Sequence, residues 1–555
     1  MAFLADPMFA LFLSLSGGYL IGRISFGPVQ LGGVCGTLFV ALAIGQVGVS
    51  IGDDLRNAAF ALFIFSLGFT AGPQFFANVR GGWRFGIFSI LEVVTALSLT
   101  LLFVAIFRFD VGTAAGLFAG SATESAVVGT ASEAIAHLDH IEGDVTRLQG
   151  NIATAYSLTY LFGMVGIILF ASQVAPWLMR VNLRQEAARL EREMGGGEEG
   201  SNSFPVFVER AFKVGDLAGR KVRSIEEQFN WTLTIPAIRR GTEIVAAGLD
   251  SILAEGDIVY VRGRRNSVIG LGRQLGEEIT LPHDFGFEVK TRDAVFANPD
   301  LVAQSVADLA TIVPPEMRRG IFVTQIHRMG QRLAPLPKTR LQQGDILTLY
   351  GPSELVDQAT RKLGPELPAQ DFTDFVFLGL GIAVGLFIGS LSATVGGIEL
   401  TLGGGGGALV AGLVFGWINM RRPRLGALPA PAANFAKEFG LAVFIAAIGL
   451  KTGPDVIEQL KKYGLILPFI GLVVSVGPAL VSLIVGYRFM KIPLPIMLGA
   501  VAGQHCSTPT LLAVMERTGN TIPVIGYTVT YAISNVILPL TGPIIVTLAA
   551  MVVPG

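Results

Sequence analysis

Cysteine and histidine are scarce in this chain of 555 residues, with two and five copies respectively. Cys35 and Cys506 stand at opposite ends of the chain in apolar or turn-like context. That placement excludes a disulfide scaffold and a thiolate metal cage, and no metal site is expected. Charge is also thin: Asp, Glu, Lys and Arg make up 15% of residues and nearly cancel, leaving a net charge of -1. No basic footprint for nucleic acid exists. A Gly-Lys-Ser/Thr phosphate loop is missing, and the central part lacks a GxGxxG fingerprint, so neither ATP coupling nor a nicotinamide cofactor is expected. The few His and Cys residues form no catalytic set, so an enzyme is not expected, and no cofactor of any kind.

What the chain has is apolar length. Hydrophobic residues make up 51% of it. Phe85 to Phe107 carries a single charge, Glu92, while Gly464 to Tyr487 and Thr518 to Gly555 carry none. Such windows are long enough to span a bilayer, which makes this a polytopic α-helical membrane protein. The start, "MAFLADPMFALFL", lacks the basic region and small-residue cleavage site of a secretory signal and reads as the lead-in to a first span. Glycine is abundant, with 69 copies, which suits close helix packing and broken helices.

Charge density divides the chain into a membrane repeat at 1–182, a charged linker at 183–204, two small α+β domains at 205–280 and 281–366, and a second membrane repeat at 370–555. The two membrane stretches are related. "GYLIG" at Gly18 recurs as "GLFIG" at Gly385, and "LGGVCG" at Leu31 as "LGGGGG" at Leu402. "FIFSLGFTAGP" at Phe63 recurs as "FIAAIGLKTGP" at Phe444, "GLFAG" at Gly116 as "GAVAG" at Gly499, and "YSLTY" at Tyr156 as "YTVTY" at Tyr527. Collinear blocks of this kind mark an internal duplication, the ground plan of secondary transporters. Counting Lys and Arg in short loops gives about five spans per half, an outside N-terminus, an inverted second half and a cytoplasmic centre. Lys461 and Lys462 run against that rule.

The centre is duplicated too: "GDIVYVRGRRNSVIGLGRQLG" at Gly256 parallels "GDILTLYGPSELVDQATRKLG" at Gly344. Each copy reads as a Gly-Asp turn, a strand and an amphipathic helix. The two modules resemble the C-terminal half of regulator-of-potassium-conductance (RCK, TrkA-C) domains. They are expected to bind a small-molecule regulator or to hold a dimer together.

Each membrane half also holds one segment too polar and too short for a span: "GSATESAVVGTASEA" from Gly120, and "GAVAGQHCSTPTLL" from Gly499. Non-helical backbone at membrane depth must be buried in protein or line a cavity. A re-entrant helix–turn–helix presents free N–H groups and hydroxyls, which suits an anionic ligand. The expected substrate contacts are Thr123, Glu124 and Ser125 from the first hairpin, and Gln504, His505, Cys506, Ser507, Thr508 and Pro509 from the second. Lys451, opposite Thr70 in the duplication, is added as a carboxylate partner, its structural alternative being a snorkelling lysine. His505 could carry a proton or simply cap backbone. Glu92, inside a span, is a functional candidate by default or a hydrogen-bonded structural acid. Glycine–proline breaks are expected at Gly68, Gly72 and Pro73, and at Gly449, Gly453 and Pro454. The run "HLDHIEGD" at His137 is a weak metal candidate beside the simpler reading of a solvated loop.

Taken together, the two repeats with re-entrant hairpins, the GxxxGP segments and the paired central modules resemble the aspartate:alanine exchanger family over essentially the whole chain. The resemblance implies a homodimeric antiporter of a bacterial inner membrane. It would swap an acidic amino acid for its neutral decarboxylation product by alternating access, with elevator-like movement. C4-dicarboxylate exchange, proton- or cation-coupled carboxylate transport and a regulator-gated ion channel are the alternatives; no "TVGYG"-like filter supports the last.

Overall fold

The computed structural model describes residues 6–26, 29–30, 32–81, 83–136, 145–196, 205–280, 289–298, 301, 304–312, 319–364, 373–395, 398–422, 425–426, 428–463 and 466–553. They form two compact units: a helical one built from 1–188 and 369–555, and a mixed one from 189–368.

The helical unit repeats helix for helix. Its first half runs α1 (Pro7–Ile21), α2 (Gly33–Gly45), α3 (Asp53–Gly81), α4 (Trp83–Phe107), α5 (Val111–Ser121), α6 (Ser125–Ala136) and α7 (Val145–Leu169). The second runs α8 (Phe375–Gly389), α9 (Gly403–Arg421), α10 (Ala430–Tyr463), α11 (Ile466–Leu483), α12 (Leu494–Gln504), α13 (Thr508–Thr518) and α14 (Pro523–Val552). Even the short antiparallel strand pair between the first two helices recurs, Ser25–Phe26 with Val29–Gln30 and Ser392–Val395 with Ile398–Thr401. Among the described residues, seven helices are long and apolar enough to cross a membrane. By contrast α1, α2 and α8 have only 15, 13 and 15 residues. At 1.5 Å per residue they reach about 20 Å, short of a ~30 Å hydrocarbon core. The span count of five per half therefore includes three helices that are shorter than a full crossing.

The fourteen helices sort into two bundles. One contains α1–α3 and α8–α10; the other contains α4–α7 and α11–α14. Glycines set how closely helices cross in the first. Gly68 and Gly72 of α3 lie against the backbone of α9 at Leu409 and Leu413, and Gly412 and Gly416 of α9 lie against α3 at Phe65 and Phe69. A side chain at any of these would collide with main chain, so the packing admits only hydrogen there. Both GxxxGP segments are corrected by this result. The helices α3 and α10 run unbroken through Pro73 and Pro454. Gly68, Gly72, Gly449 and Gly453 serve close helix crossing instead, the last two against α2 at Ala41 and Gly45.

In the second bundle α4 shows how an apolar span is oriented. Phe88, Glu92, Ala96, Thr100 and Val104 are buried, whereas Ile90, Val94, Leu102 and Ile106 are exposed. Spacing by four places the first set on one face, so Glu92 points into the bundle and the rest faces the apolar surroundings.

The central unit holds two sheets of the same plan. The first contains β1 (Phe207–Lys213), β2 (Leu233–Arg240), β3 (Glu243–Ala246), β4 (Ile258–Arg264) and β5 (Glu278–Ile279), in the order β3-β2-β4-β1-β5. The second contains β6 (Val289–Val295), β7 (Phe322–Arg328), β8 (Gln331–Leu333) and β9 (Ile346–Pro352), in the order β8-β7-β9-β6. All pairings are antiparallel. Each Gly-Asp turn carries an ionic clasp: Asp257 receives both Nε and Nη2 of Arg240 at 3.0 and 2.7 Å, and Asp345 receives those of Arg328 at 2.7 and 2.6 Å. The modules are joined by Arg319, whose guanidinium holds the buried Glu226, and by Tyr350, which donates to Glu209 at 2.8 Å.

The second clasp is almost fully buried. Asp345→Ala leaves Arg328 charged and unpaired, which costs about 3–5 kcal/mol. Faster proteolysis of the central unit in the intact protein is the expected readout. At the first clasp, whose arginine is exposed and whose aspartate is buried, the hydrogen bonds from Arg240 hold the Asp257 carboxyl below the usual carboxylate range, against the opposing effect of burial. Its stabilisation is present above about pH 4, the unfolded value, and is lost as pH falls through the lower folded value. Asp257→Asn should flatten that acid-side loss.

Candidate functional site

The two polar segments form matching helical hairpins. In the first, α5 ends at Ser121 and α6 begins at Ser125; in the second, α12 ends at Gln504 and α13 begins at Thr508. Both turns use the same backbone. Thr123 and Cys506, at equivalent positions, have φ of 54° and 49° in the left-handed region. In each, the next amide closes the loop, Glu124 N to Ala119 O at 3.0 Å and Ser507 N to Ala502 O at 2.9 Å. That is how a helix ends and reverses within three residues.

Each hairpin is seated on the last span of its own half. Gly120 abuts Tyr156 and Thr159 of α7, and Gly503 abuts Tyr527 and Thr530 of α14. Above each glycine a hydroxyl pair ties the hairpin to the span: Ser125 Oγ with Tyr156 Oη at 2.6 Å, and Thr508 Oγ1 with Tyr527 Oη at 3.0 Å. The repeated "YSLTY" and "YTVTY" blocks thus hold the hairpins.

The two tips meet. Thr123 Oγ1 donates to the His505 carbonyl at 2.6 Å, which joins the first turn to the second. Glu124 accepts from Ala126 N at 3.1 Å and is buried. From the other bundle, the half-buried Lys437 of α10 lies within electrostatic reach of Glu124. The meeting point therefore holds a buried carboxylate, with an ammonium of the other bundle close enough to act on it electrostatically.

Other expected contacts are already engaged. Ser507 caps α13 through Thr510 N at 3.3 Å and shares its hydroxyl with Thr510 at 2.7 Å. Pro509 occupies the first turn of α13, where its missing N–H leaves no helical bond unmade. Lys451 pairs with Asp53 of α3 at 3.2 Å, so its partner is not a hairpin residue. Among the buried polar groups without a hydrogen-bond partner in the described residues are Ser121 Oγ and both amide atoms of Gln504, each at the last residue before its turn, and both carboxyl oxygens of Glu92. The Ser121 and Gln504 positions are equivalent in the duplication, and buried polar groups of this kind are normally satisfied by water or ligand. His137 and His140 lie outside the described residues.

Glu92 and His505, singled out separately from the sequence, come together. His505 Nδ1 is 3.4 Å from Glu92 Oε1 and 3.2 Å from the Val501 carbonyl, and Nε2 is 2.9 Å from the Ser475 carbonyl. Carbonyls only accept, so Nε2 carries hydrogen. Nδ1 then lies between two oxygens, the Val501 carbonyl at hydrogen-bond distance and the Glu92 carboxyl just beyond it. Distance in sequence hid this partnership, and it hid Lys437, which reads as an interfacial charge.

Helical hairpins opposed at their tips within one of two bundles, on a duplicated framework of spans, define a membrane transporter. The relatives agree. The Asp-Al_Ex family model, described as a predicted permease membrane region, matches residues 10–176 and 377–547. An uncharacterized transporter of Zymomonas mobilis is 37% identical over 98% of this chain and 97% of its own length. Uncharacterized transporters of Francisella tularensis and Bordetella parapertussis are 34% and 36% identical, over 99% and 98% of this chain and 98% and 97% of theirs. The chain belongs to the aspartate:alanine exchanger family.

Proposed function

We propose that the protein exchanges an acidic amino acid, aspartate, for a neutral one, alanine, across a bacterial inner membrane, with the central unit in the cytoplasm. The observation that carries this reading is the buried Glu124 carboxylate where the hairpins meet, with Lys437 of the other bundle within its electrostatic reach. An amino acid brings an ammonium and a carboxylate together. Glu124 takes the first and Lys437 the second, while Gln504 and Ser121 supply the missing polar contacts to the side chain.

In this reading the bundle of α4–α7 and α11–α14 carries the substrate past the bundle of α1–α3 and α8–α10. The substrate groups lie between the two, Glu124 on the first and Lys437 on the second. Obligate exchange follows if the empty site, with a buried carboxylate and ammonium lacking their ligand, crosses far more slowly than the filled one. The two central modules hold the homodimer together or take a regulatory ligand.

The test is counterflow in proteoliposomes with ion gradients collapsed. Labelled aspartate should enter vesicles loaded with aspartate or alanine at least about tenfold faster than empty ones, a difference of ~1.4 kcal/mol in barrier. Entry driven only by internal succinate would replace amino acids with dicarboxylates. Ion flux without any counterflow would replace the exchanger with a channel.

A further inference from the structure

The duplication is not obeyed everywhere, and the exception involves two glutamates. Glu133, on α6 of the first hairpin, reaches across to the other bundle. Its carboxylate accepts from Gly405 N at 2.9 Å and from Gly404 N, the first amides of α9. A carboxylate on two free amides at a helix N-terminus is a strong, charge-assisted contact. Counting from the hairpin glycines, Gly120 and Gly503, the residue equivalent to Glu133 is Glu516 of α13. By the "LGGVCG" and "LGGGGG" blocks, the amides equivalent to Gly404 and Gly405 belong to Gly33 and Val34 of α2.

That second contact is not made among the described residues. Glu516 is exposed and lines a cavity of about 1270 Å³ with Ser172, Gln173, Arg184 and Arg517. The N-terminus of α2 has no side-chain cap there. Neighbouring packing shows the same asymmetry. Along α6, Thr130 Oγ1 donates to the Pro539 carbonyl of α14 at 2.7 Å, and Gly542 fits against Thr130. At the equivalent place Ala513 of α13, which has no hydroxyl to donate, is buried against Met164 and Ile168 of α7, while Ser172, just beyond α7, lines the open cavity. α6 packs along α14 and against α9, whereas α13 meets α7 over a shorter length and, among the described residues, has no comparable packing against α2.

We infer that Glu133 and Glu516 are alternating latches. Each docks on the N-terminus of the second helix of the opposite half, and one is closed while the other is open. The described conformation is closed at α6–α9 and open at α13. Its counterpart, produced by exchanging the roles of the two repeats, has Glu516 on the Gly33 and Val34 amides and Glu133 released. This rests on the exchange reading only for its purpose; the latch itself is a statement about two conformations. Its physical logic is a differential interaction: a carboxylate that binds two amides in one state and water in the other biases the equilibrium without touching substrate. Because each latch joins the two bundles, neither bundle can shift while its latch is held.

The experiment uses full-length protein in liposomes and a short bifunctional thiol reagent. One cysteine pair is Glu133→Cys with Gly404→Cys; the other is Glu516→Cys with Val34→Cys. Single-cysteine controls account for Cys35 and Cys506. Both pairs should cross-link, each abolishing exchange, with recovery on reduction. Adding Glu133→Gln to the second pair should raise its cross-linking about tenfold, the scale of removing one charge-assisted hydrogen bond. The inference is overturned if the second pair never cross-links during turnover in vesicles that exchange, or if Glu133→Gln leaves its yield unchanged. Should both pairs cross-link in vesicles that exchange no acid, the latches stand and the exchange reading falls.

Discussion

Glu124→Gln is expected to reduce aspartate and alanine counterflow by about a hundredfold or more. Glu124 is the buried carboxylate at the meeting of the hairpins, held by Ala126 N. Its neutral isostere keeps the shape of the turn. The charge that faces a substrate ammonium is gone, however, and leaving that ammonium buried without its partner costs about 3 kcal/mol or more, roughly two powers of ten. A dicarboxylate has no ammonium, so any succinate exchange should survive the substitution. Measuring aspartate, alanine and succinate in the same proteoliposomes separates a damaged site from an unfolded protein. Equal retention of aspartate and succinate exchange would remove Glu124 from amino-acid recognition. Lys437→Met should fail differently, weakening every carboxylate substrate together.

The largest structural effect is expected at Gly503. A side chain there would meet the Tyr527 carbonyl and Thr530 Oγ1 of α14, both fully packed. Main chain cannot yield as a flexible side chain can, so Gly503→Leu must push the second hairpin off its span. Overpacking of a tight contact costs about 1–3 kcal/mol and more where backbone is struck. Loss of the folded, monodisperse protein in detergent is therefore expected, together with exchange. Gly503→Ala should give an intermediate defect, and Gly120→Leu should repeat the result at Tyr156 and Thr159, because the same contact exists there. A well-folded Gly503→Leu variant with normal exchange would mean that the hairpin does not need its seat on α14.

These two sites differ in how visible they were from the chain alone. Gly503 stands in a repeated "GxxAG" block, and its partner tyrosine in a repeated "YxxTY" block, so that both recurrences pointed to one shared structural job. Glu124 was visible as polarity where an apolar run should continue. The charge that faces it, Lys437, was not, because the two residues are separated by most of the chain and no local pattern relates them. Lys451 illustrates the opposite error: a cation next to a Gly-Pro segment looked available for substrate, yet its ammonium is paired with Asp53. The prolines misled in a similar way. Pro73 removes one helical hydrogen bond, but α3 is clamped on both sides by neighbouring helices and continues through it.

Sequence by itself determined the class of this protein. Apolar windows, a charged centre and collinear repeats follow from composition and order along the chain, because spanning a bilayer and duplicating a unit both leave marks on contiguous residues. Tertiary structure alone decided which residues meet: Thr123 with His505, Glu92 with His505, and Glu133 with the amides of α9. Each pair is brought together from different halves, by helix packing that no periodicity records. Most telling is the broken symmetry. Glu133 and Glu516 occupy equivalent positions in two related hairpins, and nothing in their order along the chain says that one is docked and the other exposed. Two equivalent contacts that cannot form at once require a choice of conformation, and only a folded molecule makes that choice.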